Sequence, residues 1–244
     1  MSVINLYCLP FAGGNKYSYR GYEEKAPAAV KIVTLEYPGR GTRLKEALIT
    51  DMEQLVEDAF KNIRPLIRDQ PYALYGHSMG GVVAFLLSKK IISEGNLAAP
   101  LHIFITGTMG PSRQSKDAIN RHLLPKKEFI EEMRTLDGCP EEILENEEML
   151  SYFEPILRAD FEASETFRYQ QGSLLNIPFT VITGNEELME EEDIATWQME
   201  TSDVVDFRRM PGKHFFIFEH SNEILKVISQ KLIAAHKICN HDRP

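Results

Sequence analysis

Residues Tyr75–Val82 read YGHSMGGV. Gly76, Ser78 and Gly80 spell G-x-S-x-G, a pattern common enough by chance that its flanks must decide its meaning. Ahead of it, PYALY (71–75) is a compact run of strand character. Behind it, GVVAFLLSKKIISEG (81–95) is long, apolar and closed by Gly95, as a helix would be. Strand, sharp turn, helix is the setting that lifts a serine clear of a sheet edge as a nucleophile. Such a turn admits only small neighbours, which accounts for both glycines, and the helix behind Ser78 points free N–H groups at it. His77 lies next door, but adjacent residues at such a turn point apart, so it is expected to pack rather than to react.

Outward from this turn, VINLYCLP (3–10) predicts a buried strand leading into the glycine-containing loop FAGGNKYS (11–18). KIVTLEYPGRG (31–41) predicts a second strand running to Pro38 and Gly39. DMEQLVEDAFKNIRPLI (51–67) carries Met52, Leu55, Val56, Ala59, Ile63 and Leu66 at helical spacing. LHIFITG (101–107), IPFTVITG (177–184) and VVDFRRM (204–210) predict strands; DIATWQMET (193–201) and HSNEILKVISQKLIAAHK (220–237) predict helices. Strands alternating with helices make this an α/β chain with a mostly parallel central sheet covered on both faces. From about residue 112 to 172 the alternation stops. Phe129, Met133, Leu136, Met149, Phe153, Leu157 and Phe161 recur there at helical spacing, which predicts an all-helical insertion with its own small core, placed where a lid over a pocket is common. No composition break divides the 244 residues, so a single domain over 1–244 is expected.

Composition excludes several classes. The chain is 43% hydrophobic and 26% charged, ordinary for a globular protein. A net charge of −9 argues against nucleic-acid binding and against adsorption to an anionic membrane. Cys8, Cys139 and Cys239 form no C-x-x-C pair, so reduced thiols and no metal site are expected. The start, MSVINLYCLP, lacks a signal peptide's basic and long apolar regions, and no run is long enough to span a membrane; a cytoplasmic protein is expected.

A serine nucleophile needs a base. Of seven histidines, His214 follows the last strand and the turn PGK (211–213), where a loop reaches the sheet edge that carries Ser78. His220 is the rival a few residues on. The base needs an acid to hold its tautomer, and in the chain order Ser, acid, His that acid follows FTVITG (179–184). Glu187, three residues after Gly184, is the first choice and Glu186 the alternative. The oxyanion needs two backbone donors: Met79 N–H, and one from the loop PFAGG (10–14), with Ala12 preferred to Phe11. Gly13 and Gly14 would let that backbone come close.

Together LPFAGG (9–14), EYPGRGTR (36–43), YGHSMGG (75–81), LRADFEA (157–163), the GxxE of Gly184–Glu187 and PGKHFF (211–216) resemble the type II thioesterases, stand-alone α/β-hydrolases associated with non-ribosomal peptide and polyketide synthetases. The resemblance covers almost the whole chain. It implies an α/β-hydrolase fold with the helical insertion as lid, and a thioesterase that frees acyl groups from the phosphopantetheine arm of an acyl or peptidyl carrier protein. It implies Ser78, His214 and Glu187 as the triad, no cofactor, and a monomer by default. The family pattern usually has Asp where this chain has Glu187. Carrier proteins are generally acidic, so docking would need a local basic patch, Lys126 and Lys127 or Arg40 and Arg43. The competing readings are a small-molecule carboxylesterase, an acyltransferase, and a binding module on the same fold that has lost catalysis.

Overall fold

The computed structural model describes residues 3–68, 70–113, 119–136 and 138–241. Its apolar runs assemble into one six-stranded sheet: β1 (Ile4–Leu9), β2 (Val30–Thr34), β3 (Tyr72–His77), β4 (Ile103–Thr106), β5 (Phe179–Gly184) and β6 (Asp206–Met210). The strand order is β2-β1-β3-β4-β5-β6 and every pairing is parallel. Strands β3, β4 and β5 are buried on both faces, whereas the edge strand β6 alternates, as position in a parallel sheet dictates.

The two-residue period of the strands sorts the core into two layers. Tyr7, Leu9, Tyr72, Leu74, Ile103, Ile105, Phe179 and Val181 pack under α2 (Met52–Ile63) and α3 (Met79–Ser93). The residues between them, among them Leu6, Cys8, Ala73, Tyr75, Phe104 and Ile182, face the other way, against α1 (Arg20–Lys25) and the long terminal helix that begins at Ser221. Helix α2 starts where the Asp51 carboxylate accepts the Gln54 N–H at 2.8 Å, an N-cap that satisfies an otherwise orphaned donor.

The segment after β4 holds α4 (Lys126–Leu136), α5 (Glu141–Glu145) and α6 (Glu147–Thr166). Phe129, Met133, Leu144, Leu150 and Leu157 form its separate cluster; residues 114–118 and 137 of the expected insertion lie outside the described residues. After β5 come α7 (Glu191–Ala195), a 3₁₀ turn (Thr196–Glu200) and, after β6, α8 (Phe216–Glu219) and α9 (Ser221–His241).

Three expectations need correction. The second strand ends at Thr34, not at Pro38–Gly39. One further bond, Leu35 N–H to Cys8 O at 2.9 Å, continues the ladder; the chain then leaves the sheet, and Gly39 adopts a φ of 79° that a strand cannot use. The acidic helical run breaks at Asn146, whose side chain accepts the Met149 N–H at 3.0 Å and caps α6. That break resets the helical phase, so Leu150 is buried and Met149 is 41% exposed. The predicted helix at DIATWQMET is one short turn of α-helix passing into the 3₁₀ turn.

Candidate active site

Ser78 follows β3 directly and precedes α3. Its φ of 53° and ψ of −123° make it the one non-glycine with positive φ among the described residues. A side chain held there costs about 1–3 kcal/mol and persists only where the surroundings fix it. They do. Ser78 N–H donates to Thr106 O at 2.8 Å on the neighbouring strand, and Gly81 N–H donates to Ser78 O at 2.9 Å. A Cβ on Gly76 would lie 2.0 Å from Gly80 O, and one on Gly80 would lie 2.2 Å from Leu9 O and 2.7 Å from Pro10 O. The glycines thus let α3 start directly against the end of β1. Ser78 stands at the N-cap position, yet its hydroxyl caps nothing and remains partly exposed.

The same close approach brings the PFAGG loop beside the first turn of α3. Gly14 N–H donates to Phe11 O at 2.8 Å, turning the loop about Ala12. The N–H groups of Phe11 and Ala12 are left without a partner among the described residues. Met79 is the first residue of α3, where backbone donors are also free.

His214 is brought to Glu187 by the loops after β5 and β6, which are laced together. Asn185 N–H donates to Met210 O at 2.8 Å, Glu186 N–H to Gly212 O at 3.1 Å, and Gly212 N–H to the Asn185 side chain at 3.0 Å. A Cβ on Gly184 would lie 2.4 Å from Gly212 O. His214 Nδ1 then meets Glu187 Oε1 at 2.7 Å, while Oε2 accepts the Gly184 N–H at 2.7 Å. The Glu187 side chain is 4% exposed and that of His214 is 26% exposed. Both carboxylate oxygens are occupied, so the ring is fixed by an acid that is itself fixed. Glu186 is exposed, and His220 closes α8 through its backbone N–H to Phe216 O at 3.0 Å; neither touches the pair.

A model of the thioesterase domain matches residues 4–232. The chain belongs to the thioesterase family. It is 32% identical to the gramicidin S biosynthesis protein GrsT of Aneurinibacillus migulanus over 238 residues, 96% of this chain and 92% of that one. Among solved structures it is similar to ClbQ from the colibactin NRPS/PKS pathway, with a TM-score of 0.90 at 28% identity over 97% of this chain and all of that one. It is similar also to the type II thioesterase BorB from the borrelidin biosynthetic cluster, with a TM-score of 0.85 at 32% identity over 94% and 93%. The fold is therefore the α/β-hydrolase fold of this family, and the enzyme is a thioester hydrolase.

In this thioesterase His77 has a part that reading the turn did not reveal. It is fully buried, packs as expected, and its Nδ1 lies 3.1 Å from Thr106 Oγ1. Its ring also lies 4.6 Å from the His214 ring and packs against both Phe11 and Phe215. Burial first, and His214 second, hold its pKa well below the ordinary imidazole range. His77 therefore stands beside the His214 ring as a neutral imidazole. A second histidine–carboxylate pair, His122 Nδ1 to Glu165 Oε2 at 2.6 Å, staples the turn at Arg121–Leu123 to α6, and no strained nucleophile accompanies it.

Of the basic residues weighed for docking, two are spent inside the fold. Arg40 is 2% exposed and forks onto Asp160 at 2.6 and 2.7 Å. Arg43 forks onto Asp58 at 2.6 and 2.7 Å. Burial needs a partner for every charge, and these partners lie 120 and 15 residues away in sequence. Lys126 is half-exposed, with its Nζ 3.8 Å from a Glu147 oxygen, and Lys127 is exposed. Cys8 and Cys139 are free thiols; the Cys239 side chain lies outside those described. Among the described residues no His, Cys, Asp and Glu cluster could hold a metal, and no helix is long and apolar enough to cross a membrane.

Proposed function

We propose that this enzyme hydrolyses acyl thioesters on the phosphopantetheine arm of an acyl or peptidyl carrier protein, through an acyl-enzyme on Ser78. The observation that carries the reading is the His214–Glu187 pair at 2.7 Å on the sheet edge that also bears the strained Ser78. His214 takes the hydroxyl proton as Ser78 attacks the thioester carbonyl. The N–H groups of Met79 and Ala12 receive the oxyanion, the C–S bond breaks, and the departing thiolate takes the proton from His214. Water then repeats the sequence and frees the acid. Glu187 holds the Nδ1–H tautomer and stabilises the imidazolium throughout.

The helices of roughly residues 112–172 act as the lid. Two contacts support this. A Cβ on Gly138, in the α4–α5 turn, would lie 2.6 Å from the Phe215 ring beside His214, and a Cβ on Gly13 would lie 2.5 Å from Leu157 on α6. The helical segment thus touches the base loop and the oxyanion loop from one side. GrsT is named for gramicidin S biosynthesis, ClbQ for the colibactin NRPS/PKS pathway and BorB for the borrelidin biosynthetic cluster, which supports an enzyme serving such an assembly line; we read it as a cytoplasmic monomer with a basic contact at Lys126 and Lys127.

The test is release of acid from an acetyl-loaded carrier protein beside hydrolysis of a matched p-nitrophenyl ester, with Ser78→Ala as control. We expect preference for the carrier and loss of at least about 10³-fold in the mutant. Fast ester cleavage with the carrier ignored would point to a small-molecule esterase, and silence on both to a binding module.

A further inference from the structure

The motifs EYPGRG and LRADFEA lie far from Ser78 in sequence, and the proton-transfer chemistry does not use them. In space they meet the one loop whose backbone must be aimed. The Asp160 carboxylate, on α6, is fully buried. It accepts the Gly13 N–H on Oδ2 at 2.7 Å, and both Arg40 guanidinium nitrogens, Nη1 on Oδ2 at 2.6 Å and Nη2 on Oδ1 at 2.7 Å. Arg40 Nη1 also donates to Gly14 O at 3.2 Å, and Arg40 Nε to Pro38 O at 3.4 Å. Beneath the guanidinium lies the Tyr37 ring, 5.4 Å to its centroid, and the Tyr37 hydroxyl donates to Pro10 O at 3.2 Å. Pro10 O, Gly13 N–H and Gly14 O are therefore all held by buried side chains from other parts of the chain, and between them stand Phe11 and Ala12.

We propose that the buried Arg40–Asp160 pair is a positioning device for the oxyanion site, fixing the loop just after Ala12 at Gly13 and Gly14, while Tyr37 beneath the guanidinium holds Pro10 just before it, so that the Ala12 N–H is pre-aimed at the developing oxyanion. The inference rests on the proposed acyl-enzyme reaction. The physical argument is that an oxyanion donor contributes only if it is already in place when charge develops, and a surface loop with two glycines would otherwise be free to rotate its peptides. A bidentate guanidinium–carboxylate pair is the rigid form of such a clamp, which a lysine point charge cannot reproduce. Bringing both charges out of water is expensive and is a poor way to gain stability; holding the Gly13 N–H and Gly14 O of this loop in register is something packing alone would not do. The clamp also makes α6 part of the oxyanion site, since Asp160 belongs to the helical insertion and Leu157, one turn earlier, presses on Gly13.

The experiment compares wild type, Ser78→Ala, Arg40→Lys, Asp160→Asn and the double variant Arg40→Met with Asp160→Leu. The singles leave a buried partner uncompensated and could unfold; the double variant removes both charges, and such replacements are often neutral or stabilising. Each is assayed well below its melting temperature for kcat and KM on the acetyl-loaded carrier and on the p-nitrophenyl ester. Each is also titrated with an alkyl boronic acid, which becomes a tetrahedral anion on the serine, and with a non-hydrolysable thioether analogue of the substrate. In the folded double variant we expect kcat to fall about 10–10²-fold on both substrates with KM changed less than about threefold, and boronate affinity to fall in parallel while thioether affinity holds. Arg40→Lys should lose most of the same factor. A folded double variant with kcat and boronate affinity within about threefold of wild type overturns the proposal and leaves the pair a structural one. A wild type that ignores the carrier but cleaves the ester sinks the carrier reading alone, because the clamp is then read on the ester; a wild type inert on both sinks both.

Discussion

At the scale of single residues, the site is held by atoms with two jobs. Glu187 is the clearest. One oxygen fixes His214, and the other is fixed by the N–H of Gly184, three residues back. The bond back to Gly184 and the bond to His214 use one oxygen each, so the carboxylate is held from both ends. Replacing Glu187 by Gln should lower kcat by about 10³-fold, because the amide cannot hold the imidazolium or enforce its tautomer, whereas Glu186→Gln should stay within about twofold. Steady-state kinetics on the folded variants decide it, and a crippled Glu186→Gln would transfer the role to that residue. The sequence offered two adjacent carboxylates, with Glu187 ahead of Glu186. Spacing from Gly184 ranked them, but the lacing of two loops distant in sequence is what separates a 4% exposed side chain from a solvated one.

At the scale of elements, the strand ladder and the long helices were legible because burial imposes a period that composition records. Alternation of Tyr7 and Leu9 with Leu6 and Cys8 is the pleat itself. What was illegible were the features set by distant partners. Arg40 in EYPGRG reads as a solvated or docking charge until Asp160 arrives from α6; the second strand reads as longer than it is because nothing local announces that Tyr37 and Arg40 turn inward. Phase along EEILENEEML failed for a different reason, since Asn146 can sit inside a helix or cap one, and here it caps. Glycines are informative in the same uneven way. Gly80 abuts backbone oxygens of Leu9 and Pro10, while Gly21 in α1 has open space where a Cβ would go. Gly80→Ala should therefore separate α3 from β1 and destabilise by several kcal/mol or prevent folding, as overpacking against a backbone does. Gly21→Ala should stabilise by about 0.4–1 kcal/mol. Urea unfolding of the two variants gives both signs; a well-folded Gly80→Ala of wild-type stability would contradict the tight approach.

At the scale of the whole molecule, buried imidazoles set the acid limit. His102 is 3% exposed, with Nε2 2.8 Å from Thr180 Oγ1. Burial foremost, and then the charge of Lys231 against the opposing pull of Asp206, brings its pKa from 6.5 down to about 3. His77 is shifted the same way. Both stay neutral in the fold and take a proton once unfolded, so the unfolded chain binds more protons below about pH 6.5. Stability present above that pH is then lost as the pH falls, for His102 through the window from about 6.5 to 3 and by up to about 1.4 kcal/mol per pH unit, with His77 adding in the same direction. Glu200, its carboxyl raised chiefly by burial, acts in the opposite sense and only near the carboxylate range. Denaturant titrations at pH 7.5, 6.5, 5.5 and 4.5 should show this decline, and His102→Asn should make it shallower; equal stability at pH 7 and 5 would contradict it.

Helix α6 carries Pro155 within its length. Proline has no N–H to give to the preceding turn and crowds its carbonyl, so the helix is weakest there. On one side lie Leu150 and Phe153, which belong to the insertion's own cluster. On the other lie Leu157, which packs in the same cluster, and Asp160, and both reach the Gly13 loop. A bend at that point would let the first half of the helix shift with the insertion's own core while the second half stays tied to Gly13 and Arg40.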